Sequence, residues 1–168
     1  HIDFTIQAWV KLDSKGVSRV IVSKWGIATN LEYILQYLSS SDRFVFQVSS
    51  LGIVVNGTVT ADNLGSPSIG VWYHIIAWHD AVNNQLGIAV NNGSPNITTY
   101  SSGVFKSNAD FRIGANSSFL IDYWDGSIDE VAFWKRVLTS DEKTSLYNSG
   151  NGLEYPFNIF SYTASGSL

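Results

Sequence analysis

Val71–His79 reads VWYHIIAWH, nine residues without a turn-former. Trp72, Ile76 and Trp78 fall on one side of an extended chain, and Tyr73, Ile75 and Ala77 fall on the other. A strand that is apolar on both faces must be covered on both, so this one is central in a sheet. Outward from it, period-two alternation recurs. Phe4, Ile6, Ala8, Val10 and Leu12 share a face against Thr5, Gln7, Trp9 and Lys11. Leu31, Tyr33, Leu35 and Tyr37 repeat the pattern, as do Phe44, Phe46 and Val48. Leu86, Ile88 and Val90 give another strand; Phe111 with Ile113, and Val131 with Phe133, mark two late ones. Turn-formers separate the runs: Asp13–Gly16, Ser39–Asp42, Asn83-Asn84 and Asn91–Gly93. Asn92-Gly93 is a strong hairpin signal. Closely spaced strands of this kind imply an all-β fold, a jelly-roll β-sandwich of two antiparallel sheets.

One short helix is expected near the C-terminus. Thr139 and Glu142 have the spacing of a capping box, and Gly150 is the expected stop. The helix is expected to lie across the end of the sandwich, with Trp134 beneath it. No repeat or linker divides the 168 residues, so 1–168 reads as one domain, with 156–168 a C-terminal strand or tail.

Composition narrows the function. Only 14% of residues are charged, the net charge is −4, and Lys and Arg are scattered. No basic stripe is present to neutralise phosphates, so nucleic acid is not an expected partner. No apolar run reaches the roughly 18 residues that cross a membrane as a helix, so no membrane insertion is expected. Cysteine is absent, which removes thiolate metal sites and disulfides.

Three stretches then resemble one family, in its order. FTIQAWVKL (Phe4–Leu12), GVWYHIIAWHD (Gly70–Asp80) and DGSIDEVAFWKRVLTSDEKTSLYNSGNG (Asp125–Gly152) resemble the opening strand, central strand and closing strand-plus-helix of laminin-G-like, concanavalin A-like domains. The resemblance covers residues 3 to 155. It implies an extracellular ligand-binding module, with a glycan or surface polysaccharide as partner, and a secreted, cell-surface or virion-associated location. The rival reading is a structural module of a phage fibre, viral capsid, filament or bacterial surface protein, contacting neighbouring chains of a larger assembly. Family members carry a strand upstream of the first stretch, whereas only three residues precede Phe4 here. The chain is therefore expected to be part of something larger, with the aromatic segment Tyr155–Tyr162 covering the open sheet edge.

Candidate site residues follow. By strict alternation Asp129 shares a face with Val131 and Phe133, so its carboxylate points coreward and needs a partner. A structural calcium ion is the cofactor the resemblance implies there; a salt bridge or backbone N–H groups are the other ways to satisfy it. By the same alternation Glu130 faces away from Asp129, so the two do not form the carboxylate pair of a glycosidase. No enzyme is expected. His74 and His79 fall on opposite faces, and His74 reads as a satisfied core histidine. Sugars stack on aromatic rings and bond to amides and carboxylates. Trp9, Trp72 and Trp78 are expected to be packing. Tyr123 and Trp124, in the turn-like piece Ile121–Gly126, are the first candidates for ligand binding, followed by Trp25 with Asn30.

Overall fold

The computed structural model describes residues 2–27, 29–116, 122–154 and 156. Among the described residues, ten strands form two antiparallel five-stranded sheets of a jelly-roll sandwich. The strands are β1 (Phe4–Leu12), β2 (Arg19–Trp25), β3 (Leu31–Leu38), β4 (Arg43–Val48), β5 (Gly57–Thr60), β6 (Trp72–Asp80), β7 (Gln85–Val90), β8 (Asn96–Thr99), β9 (Arg112–Ile113) and β10 (Gly126–Trp134). One sheet runs β10-β1-β6-β7-β8 and the other β5-β4-β3-β2-β9. The chain thus enters the first sheet, builds a four-strand meander in the second, and returns for β6–β8. It then visits each sheet once more.

Between the sheets lies the core expected from alternation: Phe4, Ile6, Ala8, Val10 and Leu12 face Tyr33, Leu35, Tyr37, Phe44, Phe46 and Val48. Strand β6 supplies Tyr73, Ile75 and Ala77 to this core. Its opposite face supplies Ile76 and Trp78 to a second cluster with Leu138 and Leu146. That second cluster explains why β6 is apolar on both sides. Helix α1 (Ser140–Tyr147) is packed there, on the outer face of the first sheet rather than across the end of the sandwich. Trp134 joins the same cluster, as expected.

The capping box is present: the Glu142 N–H donates to Thr139 Oγ1, and the Glu142 carboxylate accepts from the Thr139 N–H. The stop differs from expectation. Asn148 at φ 47° ends the helix, and Asn148–Gly150 forms one further 3-10 turn. Asparagine tolerates the left-handed region and so substitutes for the glycine.

Strand β2 was not evident from alternation, because Val20, Ile21 and Val22 are consecutive apolar residues. A register shift against β3 between Val20 and Val22 puts both Ile21 and Val22 into the core. The strand expected at Phe111 and Ile113 shrinks to Arg112–Ile113, and both apolar side chains are about half exposed. The segment Tyr155–Tyr162, expected to cover a sheet edge, lies outside the described residues apart from Pro156.

Candidate functional site

The site begins with an irregularity in β10. Gln7 pairs with Ala132 and Trp9 with Asp129, so Ala8 alone stands opposite both Glu130 and Val131. This is a β-bulge, and Glu130 adopts φ 47° to make it. The bulge resets the alternation. Ile128 and Val131 both pack on the main core, whereas Asp129 turns to the outer face and is exposed. The coreward orientation expected for Asp129 is thereby corrected. Its Oδ1 accepts the Glu130 N–H at 2.7 Å.

Buried side chains hold the bulge from behind. Gln7 Nε2 donates to the Glu130 carbonyl at 3.1 Å, which leaves Gln7 Oε1 as an acceptor. His74 Nε2 lies 3.2 Å from that oxygen and donates to it. Gln7 is fully buried and His74 nearly so, which matches the reading of His74 as a satisfied core histidine. Burial pushes the His74 pKa down to about 4, so the ring is neutral at physiological pH. Trp9 and Tyr147 stack on the His74 ring at 5.1 and 5.9 Å between centroids.

On the solvent side the bulge forms one wall of a groove of about 190 Å³, lined by Trp9, Trp72, Asp129, Glu130, Gly150 and Asn151. Alternation placed Asp129 and Glu130 on opposite faces; the bulge turns both into this groove. The Glu130 carboxylate accepts the Leu153 N–H at 3.0 Å. Gly152 makes this approach possible. It sits at φ 72°, and a Cβ there would lie 2.5 Å from Glu130 Oε1. Trp72, expected to be packed, is 39% exposed: it pairs with Lys11 of β1, whereas the pairing of β6 with β7 begins only at Ile75. Lys11 Nζ lies 5.5 Å from the Trp72 ring centroid. Trp9 is buried, and its Nε1–H has no hydrogen-bond partner among the described residues.

A second groove, of about 320 Å³, lies between α1 and the β7–β8 turn. Trp78 and Ile76 line it, along with Asn92, Ser94, Ser140 and Lys143. Lys143 Nζ sits 3.4 Å from the Trp78 ring centroid, and burial lowers its pKa against the opposing pull of Asp80.

The other sequence candidates do not gather into one site. Trp124 packs against the main core, and its Nε1 donates to the Ser127 carbonyl at 3.1 Å. Trp124 is half-buried, whereas its neighbour Tyr123 is exposed. The Tyr123 carbonyl accepts from Arg19, at the start of β2. Trp25 ends the same strand, roughly 20 Å away for seven residues. Asn30 closes the loop after Trp25: its carbonyl accepts the Gly26 N–H at 2.8 Å, and its Oδ1 accepts the Asn108 N–H at 3.3 Å. Asp125 accepts from Ser14 and pairs with Arg19 at 3.7 Å, as a turn residue would. Among the described residues, no group of three or more His, Cys, Asp and Glu side chains comes together to hold a metal ion. No helix among them is long and apolar enough to cross a membrane.

The family description "Concanavalin A-like lectin/glucanases superfamily" matches residues 1–142. The chain belongs to that superfamily. No curated protein matches this superfamily member in sequence. Its fold is similar to a candidate carbohydrate-binding protein from Bacteroides ovatus, at 20% identity and TM-score 0.66, over 82% of this chain and 38% of that one. It is also similar to the heptameric SAP-like pentraxin of Limulus polyphemus, at 15% identity and TM-score 0.64, over 89% and 71%. The CBM40 of the Ruminococcus gnavus IT-sialidase, solved with α2,6 sialyllactose, matches at 16% identity and TM-score 0.63, over 84% and 80%. At such identities the likeness is one of fold.

Proposed function

We propose that this chain is a non-catalytic, lectin-like module that binds carbohydrate outside the cell, in the groove of Trp72, Asp129 and Asn151. The observation that carries the reading is the exposed Trp72 indole beside two exposed polar side chains, on a rigid sheet. A sugar needs that combination: a flat apolar surface for its C–H face, and fixed polar groups for its hydroxyls. Strands β1, β6 and β10 of one sheet supply Trp9, Trp72, Asp129 and Glu130 to the groove, so little ordering cost falls on binding. The solved sialyllactose complex of a similar fold supports the reading without identifying this chain's sugar.

The test is a glycan array followed by titration calorimetry on the wild type, Trp72→Ala and Tyr123→Ala. Binding that is lost in Trp72→Ala and kept in Tyr123→Ala is the expected result. A blank array from folded protein overturns it and favours the rival reading, a module that contacts neighbouring chains in an assembly.

A further inference from the structure

The groove between α1 and the β7–β8 turn differs in charge from the one at Trp72. Its floor is the outer face of the first sheet, with Ile76 and Trp78, and its walls are polar. No carboxylate lines it, and Lys143 is the one lining residue with a full charge, because the buried His74 ring is neutral. We infer that this groove is a second ligand site, separate from Trp72, that takes an acidic sugar by its carboxylate. Lys143 is half-buried, and its ammonium has neither a salt bridge nor a hydrogen bond among the described residues. The Trp78 ring, 3.4 Å from Nζ, holds the ammonium in place but leaves its net charge uncancelled. Burial works against that charge, and an anion beside it would offset the cost.

The carboxylates nearby are engaged elsewhere or turned away. Asp80 accepts from the Asn83 N–H and side-chain amide at 2.8 Å, and Glu142 is held by Arg136 at 2.7 Å. Asp141 is exposed and does not line the groove. The other polar groups of the groove are accessible donors. Asn92, Ser94 and Ser140 are exposed, and the two serine hydroxyls and the Asn92 amide nitrogen bond to no described residue. All of them seek oxygen atoms: a carboxylate oxygen for Lys143, and ring hydroxyls for the other three. A uronic acid carries both on one ring. The volume of about 320 Å³ is at the small end for ligand sites and suits a ring rather than a long chain. An acidic peptide offers the carboxylate without the hydroxyls.

A galacturonic acid oligomer, its methyl ester and a glutamate-rich peptide separate the cases, each titrated into the chain at low and high salt. The free acid should bind about ten-fold more tightly than the ester, a difference that salt should erode. Lys143→Gln should bring the acid down to the level of the ester, and Lys143→Arg should keep the preference. Asn92→Asp should also remove it, by setting a carboxylate against the ligand; the left-handed backbone at Asn92, φ 55°, suits either residue. Urea unfolding checks that each variant is folded. Equal binding of acid and ester overturns the inference, as does no binding of the acid by the folded wild type. A peptide that binds as tightly as the sugar acid overturns the assignment to sugar. Acid binding that persists in Lys143→Gln but is lost in Trp72→Ala places the ligand in the other groove and likewise overturns the inference. Failure here leaves the Trp72 groove to its own test, because the neutral sugars of the array do not depend on Lys143.

Discussion

Trp78 lies across Gly87, its cross-strand partner on β7, and the helix rests on the same cluster. Replacing Gly87 by Ala therefore sets two opposed effects against each other. In a strand, Ala is favoured over Gly by about 0.5–1 kcal/mol through backbone entropy. Against this, the added Cβ would stand 2.1 Å from both Cε2 and Cζ2 of the indole. No ring atom tolerates that distance, so the indole must move away from the sheet. The movement is resisted on its far side, because Lys143 Nζ sits 3.4 Å from the ring centroid. Forcing one carbon into a filled site costs about 1–3 kcal/mol. The steric effect wins, and Gly87→Ala should lose about 1–2 kcal/mol net.

Urea unfolding measures this as a lower midpoint at unchanged m-value. The decisive comparison is a double-mutant cycle with Trp78→Leu. Once the ring is gone, the same Gly87→Ala change should be neutral or stabilising, giving a coupling of about 1–3 kcal/mol between the two sites. Wild-type stability in Gly87→Ala, or the same loss in both backgrounds, would refute the packing of the indole on Gly87.

Two further outcomes are expected. The His74 pKa of about 4 lies below the 6.5 of an unfolded histidine, so the unfolded state takes up the proton first. Stability should fall as pH drops from 6.5 towards 4, by an amount on the order of 3 kcal/mol, and unfolding of His74→Gln against pH should lack that component. Trp124→Phe removes the indole bond to Ser127 and should lower the unfolding free energy by about 1 kcal/mol, yet leave binding to a positive array sugar unchanged. A selective loss of binding would return Trp124 to the ligand site.

The sandwich was legible wherever a strand kept its period. The strands β1, β3, β4, β6 and β7 show their inner faces directly in alternate residues, and the capping box fixed the start of the helix. Misreadings cluster where one residue breaks the count. Val20–Val22 hid β2 because a shift in register puts two neighbours into the core. The bulge at Glu130 did the same to Asp129, and no residue type in GSIDEVAFW announces it. Glu130 is also a poor candidate for φ 47°, since a non-glycine residue pays for that conformation.

That cost explains the polar chain behind the groove. In a regular strand, Asp129 and Glu130 would point to opposite faces, and one of them would enter the core. The bulge keeps both outside, but it leaves a backbone carbonyl beneath the surface in need of a donor. Gln7 supplies the donor, His74 fixes which end of the Gln7 amide points outward, and Trp9 and Tyr147 stack on His74. Each member is buried or stacked, so the bulge is a rigid feature rather than a fluctuation. A polar network on a central strand such as β1 offers nothing that apolar residues would not provide more cheaply for stability alone. Its presence behind this groove follows from the groove itself, because it is what allows two adjacent carboxylates of one strand to share a surface with Trp72.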